Sequence, residues 1–188
     1  MKKAIRALGI AESFRRDRNS RSVLAGIVMR ADLIIDGVTL GRCTVGGMDA
    51  TDRILEMWKK LAREDINVIL LNGCVISWFN VINLRKLHEE TTIPIICVTY
   101  HTSEGLDDYF KKYFQQKDWE YRLAIHKENG ERKEIKLHTG YNLFVRCLGI
   151  DEKRAKIILN KFTLHGRIPE PLRVAKQIAH AILSLNGS

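Results

Sequence analysis

Apolar residues fall first into short, nearly unbroken runs and later into helical periods. Residues 4–10 and Val23 to Met29 are apolar runs of strand length. Asp36-Gly37 is a turn signal, which places a third strand within Val38 to Val45. Connections this short make the three strands antiparallel neighbours. The period then changes. Ile54, Met57, Trp58 and Leu61 recur at helical spacing. Asp49 ahead of them is a residue type suited to an N-cap, and Asp52 sits in the first turn, where negative charge suits the helix dipole. Val68 to Leu71 is a short apolar strand, and Val81, Leu84 and Leu87 mark a second helix. Pro94 opens a further apolar strand through Tyr100, as proline does at a strand's first residue. Continuous apolar strands between helices indicate a parallel sheet covered on both faces.

Three strands, helix, strand, helix, strand is the order of the ribonuclease H-like fold. The expectation is an α/β, mixed-sheet domain over residues 1–188, flanked by helices and extended at its C-terminal end. The additions are a helix near Leu106 to Phe114 and strands within residues 119–147, of which Glu134 to Leu137 and Tyr141 to Cys147 pair. Helices follow at Ala155 to Leu159 and Leu172 to Leu183. Pro171 is pre-organised for a first helical position, with Glu170 as the cap. Leu172, Ala175, Ile178, Ala179 and Ile182 form that helix's apolar face; Arg173, Lys176, Gln177 and His180 form its polar one.

Composition narrows the class. With 188 residues, 45% hydrophobic and 28% charged, the chain is an ordinary globular length and balance, not a disordered one. Its apolar runs stop short of the roughly 18 residues of a membrane span. Glu12 breaks any signal-peptide core, so the expected location is the cytoplasm. The net charge is +9. A folded domain with a spread positive excess attracts polyanions, nucleic acid first among them; a solubility role explains the charge equally well. Cys43, Cys74, Cys97 and Cys147 lack the paired spacing of a zinc or redox motif and read as reduced core residues. The six histidines have no metal-ligand spacing.

Three blocks carry a resemblance: Ile168-Pro169-Glu170-Pro171-Leu172-Arg173-Val174-Ala175, Val45-Gly46-Gly47-Met48-Asp49-Ala50-Thr51-Asp52, and Leu71-Asn72-Gly73 followed by Phe79-Asn80. Together they resemble an archaeal family related to endonuclease V and described as endonuclease dU. The resemblance implies a ribonuclease H-like fold and a metal-dependent endonuclease. The substrate it implies is deaminated, deoxyuridine-containing DNA, as in DNA repair, cut by phosphodiester hydrolysis. Mg²⁺ or Mn²⁺ held by carboxylates would activate the water. Members of that family often show Gly-Ile-Asp-Asp where this chain has Gly9-Ile10-Ala11-Glu12, and related sequences carry Leu-Asp-Gly where it has Leu71-Asn72-Gly73. The candidate catalytic residues are therefore Glu12, Asp49 and Asn72, with Glu12 and Asp49 as metal ligands and Asp52 and Glu170 as further candidates. Candidate nucleic-acid contacts are Arg15, Arg16, Arg18 and Arg21 of the Phe14 to Ser22 loop, then Trp78, Phe79, Asn80, Arg173 and Lys176. Each has a plainer role: Asp49 as helix cap, the aromatic pair as packing, the arginines as a solvated hairpin end. The alternative function is a DNA- or RNA-binding protein on the same fold without catalysis. If Glu12, Asp49 and Asn72 form a site, they converge where the first and fourth strands lie side by side.

Overall fold

The structure, a computed structural model, describes residues 5–16, 20–102 and 105–185. Three strands come first: β1 (Arg6–Ser13), β2 (Arg21–Arg30) and β3 (Ile35–Thr44). Then follow α1 (Ala50–Leu61), β4 (Val68–Asn72), the short strands β5 (Val75–Ile76) and β6 (Asn80–Val81), α2 (Leu84–Thr91) and β7 (Ile95–Thr99). The rest is α3 (Asp107–Tyr113), α4 (Gln116–Glu128), β8 (Lys133–Lys136), β9 (Asn142–Leu148), α5 (Glu152–Phe162) and α6 (Glu170–Leu185). The main sheet runs β3-β2-β1-β4-β7-β9-β8. β1 and β2, and β2 and β3, pair antiparallel; β1, β4 and β7 run parallel. This is the expected ribonuclease H-like order, with β9 and β8 added antiparallel beyond β7.

Alternation along the strands sorts their residues between two apolar layers. Ala7, Ala11, Ala25, Ile27, Leu70 and Val98 join Ala175 and Ala179 of α6 and Leu159 of α5 on one face. Leu8, Ile10, Leu24, Ile69, Leu71 and Cys97 join Ile54 and Met57 of α1 and Leu87 of α2 on the other. The small residues of β1 set how closely α6 lies. A Cβ on Gly9 would fall 2.5 Å from the Pro171 Cβ and 2.6 Å from its backbone carbon. Glycine is therefore what lets helix and strand touch there.

Several expectations are corrected. Asp36-Gly37 does not form the turn between the second and third strands; β3 already begins at Ile35, and a shift of register opposite Val28 and Met29 accommodates the pair within the strand. Residues 119–128 are helix, not strand. They lack a helical apolar stripe because α4 buries only Arg122 and Ile125. β1 runs on to Ser13, so Ala11 and Glu12 lie within the strand. α6 starts at Glu170 rather than after it, and the Pro169 carbonyl accepts from the Leu172 and Arg173 amides. The β5–β6 hairpin has no counterpart in the sequence pattern, since strands of two residues carry no period.

Candidate functional site

The carboxyl ends of parallel strands are where an open α/β sheet places its ligand crevice. Here a cleft of about 420 Å³ opens at that end. Its walls are Glu12 and Phe14 from the end of β1, the segment from Gly73 to Phe79, Thr99 at the end of β7, and Leu106. His126 of α4 and Arg146 of β9 also face it.

Polar groups are concentrated in that cleft. Glu12 Oε2 and Thr99 Oγ1 are both buried without a hydrogen-bond partner. Burial raises the Glu12 pKa; the Lys176 ammonium and hydrogen bonds from Ser77 act against the rise without cancelling it. Ser77 continues inward, its hydroxyl accepting from the Cys43 thiol at 3.3 Å, and Cys43 Sγ lies 3.0 Å from Ser22 Oγ. On the far wall Arg146 is buried. Its Nε donates to the Gly130 carbonyl at 2.7 Å, one terminal nitrogen donates to Cys74 Sγ at 3.4 Å, and the other lies 3.3 Å from His126 Nε2. The Cys97 thiol, aided by the Arg146 guanidinium, draws the Cys74 pKa down against burial. Burial and the Arg146 charge hold His126 down, toward its neutral form. The cleft thus pairs apolar walls with a few fixed donors and acceptors, the usual composition of a small-molecule pocket.

The hairpin that forms one wall is strained. Ser77, Trp78 and Phe79 have φ of 44°, 56° and 68°, three successive non-glycine residues in the left-handed region. Such residues cost of the order of 1–3 kcal/mol each and persist only where their surroundings impose them. Here the Gly46 amide donates to the Ser77 carbonyl at 2.8 Å. Arg122 clamps the loop, donating to the Phe79 carbonyl at 3.1 Å and to the Gly46 carbonyl at 2.6 Å.

The three candidate catalytic residues are placed differently. Ile10 pairs with Leu71, so Ala11 and Asn72 are the next residues along β1 and β4. By alternation both belong to the α6 face, as Ala7 and Leu70 do. Ala11 and Asn72 are therefore neighbours on that face, and neither is charged. Glu12 points to the opposite face, into the cleft. Asp49 is absent from the cleft wall. Its Oδ1 accepts from the Thr44 amide at 3.0 Å and from Asn80 Nδ2 at 2.9 Å, and its Oδ2 from Thr44 Oγ1 at 3.1 Å. Arg53 and Arg21 pair with it at 3.5 and 3.9 Å. Burial opposes its charge, but the hydrogen bonds from Thr44 and Asn80 prevail and lower its pKa. Asp49 also makes no side-chain cap; the Ala50 amide donates to Asn80 Oδ1 instead.

These side chains do not fit the Mg²⁺ or Mn²⁺ that the resemblance implies. Such a site needs carboxylate oxygens converging at roughly 2.0–2.2 Å from the ion. Glu12 and Asn72 both line one small pocket at the ends of β1 and β4, but Asn72 brings no charge, and Asp49 stands outside that pocket with both oxygens engaged. Among the described residues no three His, Cys, Asp or Glu side chains are grouped to hold a metal ion.

The other candidates divide. Asp52 is on the surface, paired with Lys86 at 2.7 Å. Glu170 is buried; one oxygen pairs with Arg173 and the other has no partner. Asn80 is fully buried, its amide committed to Thr44, Asp49 and Ala50. Lys176 donates to the Glu12 carbonyl at 2.6 Å. Arg21 braces Thr44 and the Arg42 carbonyl. Arg15 and Arg16 are exposed beyond β1, and Arg16 lines the cleft. Arg18 lies outside the described residues. Trp78 and Phe79 line the cleft from the hairpin. Sequence reasoning read Cys74 as a core residue and His126 as one without metal-ligand spacing, and it passed over Ser77, Thr99 and Arg146; the signal available was Arg146, a lone charge inside the apolar run Leu143 to Leu148.

Comparison with known proteins agrees with this fold. A sequence-family model described as endonuclease dU matches residues 3–183. A UPF0215 protein of Pyrobaculum calidifontis is 34% identical over 176 residues, covering 93% of this chain and 95% of its own. One from Methanopyrus kandleri is 33% identical over 184 residues, covering 97% and 93%. Among solved structures, a protein of unknown function from Archaeoglobus fulgidus superposes with a TM-score of 0.81 at 24% identity, covering 95% of this chain and 98% of its own. Ciona intestinalis endonuclease V, solved with a DNA containing inosine, gives 0.65 at 15% identity, covering 98% and 87%. Likeness at these identities is likeness of fold, and the fold is the ribonuclease H-like one.

Proposed function

The chain belongs to the endonuclease dU family, and from that premise we propose that it recognises nucleic acid carrying a deaminated base, deoxyuridine-containing DNA in the first place, by taking the altered base into the cleft beside Glu12. The observation that carries this reading is the cleft itself. It lies at the strand ends, has room for a nucleobase, and holds unpartnered buried polar atoms on Glu12 and Thr99. A uracil differs from cytosine in presenting a carbonyl and a ring N–H where cytosine has an amino group and a bare nitrogen. A buried carboxyl whose pKa is raised donates to such a carbonyl in its protonated form, and a hydroxyl either donates or accepts. Arg16 and the net charge of +9 supply the phosphate attraction. Ala11, Asn72 and the engaged Asp49 support recognition without the family's hydrolysis.

A second reading, metal-dependent phosphodiester hydrolysis by a reduced set of Glu12 and Asp49, is favoured by family membership. One experiment separates the two. Oligonucleotides differing only in cytosine or uracil at one position are titrated with the protein, then incubated with it and Mg²⁺ or Mn²⁺. The expected result is tighter binding of the uracil strand with no incision. Equal affinity for both strands overturns the recognition reading, and incision establishes the second one.

A further inference from the structure

Beside the cleft, six aromatic side chains gather in one cluster. Phe79 stacks on Tyr109 with ring centres 6.3 Å apart and on Tyr113 at 5.7 Å, both with planes at 25°. Trp78 lies 5.8 Å from Phe79 and 5.4 Å from Tyr113. Phe110 and Phe114 meet Phe79 edge-on. A cluster serving stability alone would be enclosed. Of these six only Phe110 is; Tyr109 is 52% exposed and the other four are half-buried. Trp78 and Phe79 reach this position through a backbone that is left-handed at three successive residues, and strain of that kind marks sites that bind.

The charge around the rings suits one kind of occupant. Lys112 Nζ lies 5.4 Å from the Tyr113 ring centre, and Lys111 Nζ lies 5.4 Å from that of Trp119. Asp107 and Asp108 sit in the first turn of α3, where they suit the helix dipole. Rings that stack bases, bordered by ammonium groups that meet phosphates, hold single-stranded nucleic acid. A duplex hides its base faces in its own stack, whereas an unpaired strand offers them.

We infer that the exposed face of α3, with Tyr109 as its outermost ring, is a stacking platform for an unpaired DNA strand running on from the base held in the cleft. Trp78 and Phe79 line the cleft and join the aromatic cluster, so the two surfaces are continuous. The inference rests on the nucleic-acid reading above and adds to it a preference for unpaired over paired substrate.

The test measures fluorescence anisotropy of one labelled, uracil-containing DNA strand, alone and annealed to its complement, with the parent protein, Tyr109→Ala and Tyr109→Phe. Tyr109→Ala is expected to weaken single-strand binding about ten-fold and duplex binding by less than about two-fold. Tyr109→Phe keeps the ring and is expected to bind as the parent does; because Tyr109 is half-exposed, neither change threatens the fold. Unaltered single-strand affinity in Tyr109→Ala, or an equal loss for both forms, overturns the platform while leaving cleft recognition standing. A parent protein that binds neither form overturns the nucleic-acid reading and this inference with it.

Discussion

Glu12 and Asp49 show how environment separates two carboxylates. Asp49 receives an amide, an amide nitrogen of Asn80 and a hydroxyl, and its charge is welcome. Glu12 has one buried oxygen with no donor, and its charge is not. The consequence for stability has a definite sign. With its pKa raised in the folded protein, Glu12 contributes stability that is full below its ordinary value of 4.5 and is lost as pH climbs through the folded value. Glu12→Gln removes that dependence. The variant is expected to melt above the parent at neutral pH, with the advantage shrinking as pH falls from the folded value toward 4.5. Thermal melts over the acid-to-neutral range check this. A variant no more stable than the parent at neutral pH means that Lys176 and Ser77 fully offset the burial.

Among the elements, β1 and α6 form the contact on which the site depends. Gly9 lies under Pro171, Ala11 packs into the apolar layer with Ala175 and Ala179, and Lys176 reaches the Glu12 carbonyl. Gly9→Ala forces Pro171 and its backbone away. Overpacking of this sort typically costs about 1–3 kcal/mol. Urea denaturation is expected to show a loss in that range, and weaker uracil-strand binding should accompany it as the end of β1 shifts. Parental stability in the Gly9→Ala variant would show that α6 can move aside freely. The β5–β6 hairpin answers to a different constraint, since its left-handed turn is held from outside by Arg122 and Gly46 rather than by its own two residue pairs.

For the molecule as a whole, charge and metal linkage give the broadest test. A ligand that binds the native state raises stability in proportion to the logarithm of its concentration over Kd. The parent protein is expected to show no rise in Tm with millimolar Mg²⁺, because its carboxylates do not converge. The double variant Ala11→Asp, Asn72→Asp places two like charges side by side at the strand ends. It is expected to be less stable than the parent without metal and to recover with Mg²⁺, read by calorimetry and by direct Mn²⁺ titration. A parent protein stabilised by Mg²⁺ would restore the metal reading.

The near-continuous apolar runs from Ala7 to Ile10, Val23 to Met29 and Ile95 to Val98 made the parallel and antiparallel strands legible, because burial on both faces leaves no polar position in a strand. The helical spacing of Ile54, Met57 and Leu61 did the same for α1. The changes at Ala11 and Asn72 were also visible, but only as two separate departures. Their being neighbours on one face, with Glu12 on the other, came from the register of β1 against β4. Likewise nothing local distinguishes an Asp49 that caps a helix from one held by Thr44 and Asn80, a residue 31 positions away. Arg146 and His126 reach the cleft from the last strand of the sheet to be added and a helix without an apolar stripe. Sequence period reports what neighbours along the chain do together; which distant side chains share a pocket is set by how strands and helices stack, and that the tertiary structure alone decided.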